Sequence, residues 1–182
     1  MVADISQFQP TVDYAKLKND VDGVIVRIGY RGYGSSGTLC KDEKFDTHMK
    51  GIVKNKIPYG FYFFSQAKNA TEGKEEADYC YKLIKDYSPK YAVYFDSEMS
   101  TEGSGNGRAD KISKSARTDA AVAFCKEIEK KGFTAGVYSS TSWYNDKLDM
   151  SKIKKYSIWV ADYGVNNGRA NKKPSITPCN AW

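Results

Sequence analysis

The chain has 182 residues, of which 41% are hydrophobic, and a formal net charge of +6. This length and composition are typical of one domain with a sizeable core, and no segment approaches the roughly 18 consecutive apolar residues that a membrane helix requires. The basic charge favours a polyanionic partner, which could be nucleic acid, an anionic cell-wall polymer or a membrane surface, and does not choose among them. The opening Met1-Val2-Ala3-Asp4 does not resemble a signal peptide.

Short apolar segments alternate with segments of helical periodicity along the whole chain. The predicted strands are Val2–Ser6, Gly23–Tyr30, Pro58–Ser65, Tyr91–Asp96, Thr134–Ser139 and Ser157–Ala161. The predicted helices are Tyr14–Asp20, Asp42–Asn55, Ala70–Tyr87 and Asp110–Lys131, the last ending at a C-cap glycine, Gly132. This order is typical of βα units around a parallel sheet. Because most strands are nearly continuous apolar runs, we expect both sheet faces to be covered, as in a barrel or a doubly wound sheet.

The segment Gly32-Tyr33-Gly34-Ser35-Ser36-Gly37 matches the dinucleotide-binding fingerprint and follows a predicted strand. We reject that function because Thr38–Lys41 opens no apolar helix and the motif follows the second strand rather than the first. The segment is predicted to be a tight, flexible loop.

The cysteines and the single histidine narrow the possible chemistry. Cys40, Cys80, Cys125 and Cys179 form no Cys-x-x-Cys pair, which argues against structural zinc. Cys80 and Cys125 each fall within a predicted amphipathic helix, so we expect buried free thiols there. With His48 alone, a catalytic triad that depends on histidine and a His-rich metal site are excluded, and a carboxylate mechanism remains.

Two carboxylates, Asp96 and Glu98, stand where a buried strand runs out into a loop. Side chains alternate across a strand, so both point to one side, with Cα atoms about 6–7 Å apart. Like charges at that range push two pKa values apart, and this suggests acid catalysis. The alternative is a solvated turn with a helix cap. The glycine-containing loop Ser100–Asp110 that follows is either a mobile substrate loop or an idle connection.

Further polar and aromatic residues fall at or near the carboxyl ends of the predicted strands. They are Asp4, Arg27, Tyr30, Tyr62, Phe64, Tyr138, Trp159 and Asp162. Because such strand ends converge on one face, we predict a pocket with an acidic floor and aromatic walls, which suits a carbohydrate. Each aromatic residue taken alone is more typical of a packed core.

Five ordered motifs resemble glycoside hydrolase family 25, the Chalaropsis-type N-acetylmuramidases. They are Asp4-Ile5-Ser6-x-Phe8-Gln9, Pro58-Tyr59-Gly60-Phe61-Tyr62-Phe63, Phe95-Asp96-Ser97-Glu98, Gly136-Val137-Tyr138-Ser139 and Trp159-Val160-Ala161-Asp162-Tyr163. The resemblance covers essentially the whole chain. It implies an irregular TIM-barrel-like (β/α) barrel in a single catalytic domain, 1–182, that needs no metal or cofactor. It also implies cleavage of the β-1,4 bond between N-acetylmuramic acid and N-acetylglucosamine in peptidoglycan.

The resemblance assigns roles to residues of this chain. Glu98 matches the family's general acid and Asp96 its catalytic partner, which either positions the substrate's 2-acetamido group for attack or acts directly as a carboxylate. Asp4 matches a third active-site acid. The matching substrate-binding positions are Tyr62, Tyr138 and Trp159, joined by Phe64. Arg27 and Asp162 either bind substrate or form structural ion pairs.

The family pattern continues past Asn180-Ala181-Trp182 with a last strand that carries another active-site aspartate. We therefore expect a terminal segment to be missing from the chain, because an unclosed barrel would expose strand edges. The implied partner is the peptidoglycan strand at an anionic wall surface. We expect the protein to act as a monomer, either outside the cytoplasm or during phage lysis.

Two readings compete with a muramidase. One is a wall-binding module that keeps the groove without turnover. The other is a nucleic-acid-binding domain, which rests on charge alone and has no recognisable motif. Within the enzymes, a hydrolase of another glycan such as chitin remains an alternative.

Overall fold

The computed structural model describes residues 1–100, 106–162 and 173–182. Its strands are β1 (Val2–Ile5), β2 (Gly23–Arg31), β3 (Leu39–Lys41), β4 (Tyr59–Phe64), β5 (Val93–Asp96), β6 (Ala135–Ser140) and β7 (Ser157–Ala161). Its helices are α1 (Tyr14–Asp20), α2 (Phe45–Asn55), α3 (Ala70–Ile84), α4 (Lys114–Lys130), α5 (Thr141–Asp146) and α6 (Met150–Ile153).

The strands form one sheet in the order β1-β2-β4-β5-β6-β7, and all of these neighbours are parallel. The short β3 runs antiparallel to the end of β2. Within the described ranges β1 pairs only with β2, while β7 pairs with β6 and, through a single parallel bridge, with Ala181. The sheet is therefore open at one seam.

The sheet curls into a half-barrel. The rings of Tyr62 on β4 and Trp159 on β7 lie 6.2 Å apart, although two strands separate β4 from β7. A flat sheet would hold these strands roughly 14 Å apart. Of the two architectures predicted, the barrel-like one is confirmed, and the TIM-like barrel is incomplete.

Both faces of the sheet are buried, which explains the continuous apolar runs of the strands. Outward side chains such as Phe61, Phe95 and Val137 pack in one core with helix residues such as Phe124. The concave face carries a second cluster built from Ile25, Tyr62, Ala92, Tyr94 and Tyr138. The half-barrel thus has an aromatic interior.

The predicted elements are all present, and β7 has the predicted bounds. The largest difference is at α4, which begins at Lys114 rather than Asp110 because the Ser113 side chain caps it by accepting a hydrogen bond from the Ala116 amide. Gly132 follows α4 with a φ of +88°, as expected for a C-cap glycine. The short elements β3, α5 and α6 were not predicted.

The structure also tests predictions about the cysteines, the glycine-rich loop and membrane-spanning segments. Cys80 and Cys125 are buried free thiols, as expected. The loop containing Gly37 leads into β3, so the prediction that no helix opens at Thr38–Lys41 is confirmed. No helix in the described ranges has the length and apolarity to cross a membrane.

Candidate active site

Strand register brings the predicted site residues together at the carboxyl end of the sheet. Phe64 pairs with Asp96, Asp96 with Tyr138, and Tyr138 with Trp159, so four neighbouring strands contribute one row. Residues in one row of a parallel sheet share a face. The row therefore sets Asp96 between aromatic side chains on the concave face.

A cavity of about 240 Å³ opens over this row. Its lining residues are Asp4, Ser6, Phe8, Gln9, Arg27, Tyr33, Tyr62, Phe64, Asp96, Glu98, Tyr138 and Trp159. All three predicted acids line it, together with five of the six predicted substrate-binding residues. The expected combination of carboxyl groups with aromatic walls is present in this cavity.

Glu98 lies in the loop directly after β5 and keeps its proton more strongly than an ordinary glutamate. Its pKa is raised from 4.5 to about 7, first by burial and then by the nearby charge of Asp4. A carboxyl group with a pKa near 7 can donate a proton at neutral pH.

Asp96 and Asp4 also have raised pKa values. Burial raises the pKa of Asp96 well above its usual range, with contributions from the charges of Glu98 and Asp4, and Arg27 opposes the shift. Burial raises the pKa of Asp4 to about 6, opposed by a hydrogen bond from the Tyr62 hydroxyl and by Arg27. The negative charge of Asp4 thus contributes to the raised pKa of both Asp96 and Glu98.

Arg27 is a buried cation whose charge acts on both Asp4 and Asp96. Its Nε donates a hydrogen bond to Asp42 Oδ2 at 2.6 Å, and both side chains are almost fully buried. The same carboxylate accepts from the Gln7 amide at 3.0 Å. Arg27 therefore does form an ion pair, with Asp42, and lines the cavity as well.

Ser97 lies between the two acids and is held at its backbone and side chain. Its amide donates to the Tyr138 carbonyl oxygen at 3.0 Å, and Ser139 Oγ donates to its carbonyl oxygen at 2.5 Å. Arg117 Nη1 approaches Ser97 Oγ at 3.5 Å, and the Arg117 guanidinium lies 4.3 Å from the centre of the Trp143 ring. These contacts fix the turn that directs Glu98 into the cavity.

Trp159 is the centre of one aromatic wall. Its ring lies 4.5 Å from that of Tyr138, 5.4 Å from that of Tyr94 and 6.2 Å from that of Tyr62, measured between centroids. Flat apolar faces of this kind match the C–H faces of sugar rings.

Asp162 does not join the cavity. It is exposed, and its Oδ2 accepts a hydrogen bond from Thr141 Oγ1 at 3.1 Å. Along β7 the side chains alternate, so Asp162, three residues after Trp159, leaves the concave face. The alternative of an ion pair is not met either among the described residues. Tyr163 of the same motif lies outside the described residues, as do residues 101–105 of the predicted substrate loop.

Four lining residues were not predicted as site residues: Ser6, Phe8, Gln9 and Tyr33. Three of them belong to the motif around Asp4, and Tyr33 belongs to the glycine-rich loop. A larger cavity of about 700 Å³ lies at the opposite end of the concave face, among residues such as Ala3, Ala92 and Trp182. No aspartate or glutamate is among its described lining residues, so the smaller cavity is the candidate active site. The described residues hold no cluster suited to a metal ion.

A parallel half-barrel that gathers buried carboxyl groups and an aromatic wall at its carboxyl end is typical of glycoside hydrolases. The chain belongs to glycosyl hydrolases family 25, whose family model matches residues 3–182. The resemblance stated from the motifs is thereby confirmed.

A curated relative and two solved structures are consistent with membership of this family. The chain is 25% identical over 173 residues to a protein named lysozyme from Streptococcus phage Cp-9, covering 90% of this chain and 46% of that protein. The modular autolysin LytC from Streptococcus pneumoniae, solved with a synthetic peptidoglycan ligand, aligns with a TM-score of 0.77 at 25% identity, covering 96% of this chain and 39% of LytC. The catalytic domain of endolysin ply40 from Listeria monocytogenes bacteriophage P40 aligns with a TM-score of 0.75 at 28% identity, covering 96% and 79%. The chain spans about half the length of the curated relatives it matches.

Proposed function

We propose that this chain hydrolyses peptidoglycan at the β-1,4 bond between N-acetylmuramic acid and N-acetylglucosamine. The observation that carries the proposal is the Glu98 carboxyl, whose pKa of about 7 makes it a proton donor beside two further acids in an aromatic pocket. Family membership and relatives named as lysozyme, autolysin and endolysin support this substrate.

Glu98 supplies the proton in the first step and removes one in the second. As the glycosidic bond breaks, its carboxyl protonates the departing oxygen, so the leaving sugar departs as an alcohol and not as an alkoxide. The resulting carboxylate then takes a proton from the water that attacks the anomeric carbon, which restores the starting protonation state.

Asp96 is proposed to hold the substrate's 2-acetamido group. Its Oδ1 is buried without a hydrogen-bond partner among the described residues, and the residue is 2% exposed. A carboxyl oxygen there can accept from the acetamido N–H, which aims the acetamido oxygen at the anomeric carbon. That oxygen then forms the bond to carbon as the glycosidic bond breaks, and water displaces it with net retention.

Asp4 and Tyr62 contribute through charge and hydrogen bonding. The Tyr62 hydroxyl donates to the Asp4 carboxylate, and the Asp4 charge raises the pKa of Glu98. Asp4 therefore helps to keep the proton donor protonated and provides negative charge near the oxocarbenium-like transition state.

The proposed setting is the bacterial cell wall, where the net charge of +6 favours approach to anionic wall polymers. The proposed partner is the glycan strand itself, bound by a monomer. Because the acid and its partner are side chains, the proposed reaction requires no cofactor.

The test is to incubate the protein and its Glu98→Gln variant with isolated peptidoglycan and to identify new reducing ends by mass spectrometry. The proposal predicts muramic-acid reducing ends from the parent and almost none from the variant. Glucosamine reducing ends would contradict the proposed bond specificity. Binding to the wall by both proteins without cleavage by either would instead indicate a wall-binding module.

A further inference from the structure

Phe8 is an exposed aromatic residue at the cavity that contains the three acids. Its side chain is 71% exposed, and of the large apolar side chains exposed in the described ranges, it alone lines the acidic cavity. Burial of such a ring against a ligand contributes favourable free energy in proportion to the apolar area removed from water. Its position beside the carboxyl groups makes a ligand of that cavity the natural cover.

The turn that carries Phe8 is held by a dense set of hydrogen bonds. Gln9 Oε1 accepts from the Ser6 amide at 2.9 Å, and the Gln9 amide donates to the Ser6 carbonyl oxygen at 3.0 Å. The Phe8 amide donates to Ser6 Oγ at 3.3 Å, and His48 Nε2 lies 2.9 Å from the Ser6 carbonyl oxygen. The ring is therefore presented on a preorganised turn, which lowers the entropy cost of binding.

A cation lies beneath the ring. The Arg27 guanidinium carbon is 4.9 Å from the centre of the Phe8 ring and 5.7 Å from the centre of the Tyr30 ring. Asp42 fixes this guanidinium at Nε, while Nη2 is buried without a hydrogen-bond partner among the described residues. The Arg27 guanidinium thus supports the inner side of the Phe8 ring, and the 71% exposure of the side chain leaves the other side open to a ligand.

A β-bulge builds this arrangement. The register between β2 and β4 shifts between Arg27, which pairs with Tyr62, and Gly29, which pairs with Phe63. Because of the extra residue, Arg27 and Tyr30 face the same side although they are three positions apart. Tyr33 adds a further ring to this group, since the Tyr30 and Tyr33 rings lie 6.5 Å apart with planes inclined by 23°.

We propose that Phe8, supported by Arg27, is a saccharide-binding subsite that stacks against an N-acetylhexosamine ring of the bound glycan. The subsite stands on the β1–β2 side of Asp96 and Glu98, whereas the wall around Trp159 stands on the β6–β7 side. A glycan strand laid across the cavity thus meets an aromatic surface on each side of these two carboxyl groups. This inference rests on the proposed function.

The test separates binding from turnover. In the Glu98→Gln background, calorimetry measures the affinity for a peptidoglycan tetrasaccharide of alternating N-acetylglucosamine and N-acetylmuramic acid, with and without Phe8→Ala. Loss of the stacking ring is expected to weaken affinity about five- to tenfold, and Phe8→Tyr should restore it. In the otherwise wild-type chain, Phe8→Ala should raise KM by a similar factor with little change in kcat.

Val53→Ala is the matched control, since Val53 is also exposed but lies on α2 and lines neither cavity. It should leave affinity and KM unchanged, and melting temperatures should show that all variants fold. Affinity and KM within twofold of the parent in Phe8→Ala would overturn the subsite while leaving the proposed function intact. No binding of the tetrasaccharide by the Glu98→Gln protein, together with no cleavage by the parent, would overturn both.

Discussion

Ser139 Oγ donates a hydrogen bond of 2.5 Å to the carbonyl oxygen of Ser97, the residue between Asp96 and Glu98. Ser139 is fully buried on β6, so the bond forms away from solvent. It ties the turn after β5 to the neighbouring strand and so fixes the direction in which Glu98 leaves the sheet.

We therefore expect Ser139→Ala to lower kcat about tenfold, because small displacements of a proton donor are costly in rate. The free energy of unfolding should fall by about 1 kcal/mol for the lost hydrogen bond. Ser139→Thr, which keeps the hydroxyl, should recover part of kcat. Steady-state kinetics with thermal melts check this, and an unchanged kcat in a destabilised Ser139→Ala protein would show that the bond serves folding alone.

The pH dependence of turnover should report the Glu98 proton. With a pKa of about 7, Glu98 is protonated below that pH, so activity should fall as the pH rises through about 7. Because the Asp4 charge contributes to this shift, Asp4→Asn should move the alkaline limb to lower pH as well as reduce the rate. Asp20→Asn, an exposed change on α1, is the control. An alkaline limb that stays in place in Asp4→Asn would contradict the coupling.

Glu98 should also destabilise the fold at alkaline pH. Its folded pKa of about 7 lies above the ordinary 4.5, so its contribution to stability is complete below about 4.5 and is lost as the pH rises through 7. Glu98→Gln, which stays neutral, should therefore be more stable than the parent at pH 8 by up to about 3 kcal/mol, with a smaller difference at pH 4. Denaturant titrations at both values measure this difference, and a gap that does not change with pH would contradict the raised pKa.

The proposed role of Asp96 predicts a distinctive inhibitor. A thiazoline of N-acetylmuramic acid mimics the ring formed when the acetamido oxygen attacks the anomeric carbon, so a peptidoglycan fragment that ends in this thiazoline should inhibit competitively. Asp96→Ala should weaken that inhibition at least tenfold, because it removes the carboxyl group that hydrogen-bonds the ring nitrogen of the thiazoline. Inhibition constants measured against each protein would decide. Failure of the thiazoline to inhibit the parent would favour direct carboxylate attack.

Much of the fold could be predicted from the sequence because the parallel strands are buried on both faces. Segments such as Pro58–Ser65 and Ser157–Ala161 are nearly continuous apolar runs, and the helices between them have clear periodicity. The helices α5 and α6 have six and four residues, which is too short for a periodic signal. The curl of the sheet emerges only from contacts between distant strands, such as those of Tyr62 with Trp159.

Part of the candidate site could likewise be predicted from the sequence, and part of it could not. Asp4, Asp96 and Trp159 could be placed because strand ends converge, so a position at a strand end predicts a neighbourhood. Phe8 could not be assigned to the cavity from its pattern, because an aromatic residue in a turn gives no sign of the direction its ring takes. The common facing of Arg27 and Tyr30 depends on a bulge, which breaks the simple alternation of a strand.

The most direct test of the central claim, that Glu98 protonates the departing oxygen, compares two leaving groups. One substrate is the natural glycan. The other is the 2,4-dinitrophenyl β-glycoside of the disaccharide N-acetylglucosaminyl-N-acetylmuramic acid, and its dinitrophenolate leaving group departs without a proton. Glu98→Gln should slow cleavage of the glycan on the order of 10²–10⁴-fold, while initial release of dinitrophenolate should fall far less. Equal losses on both substrates would contradict the assignment of Glu98 as the proton donor.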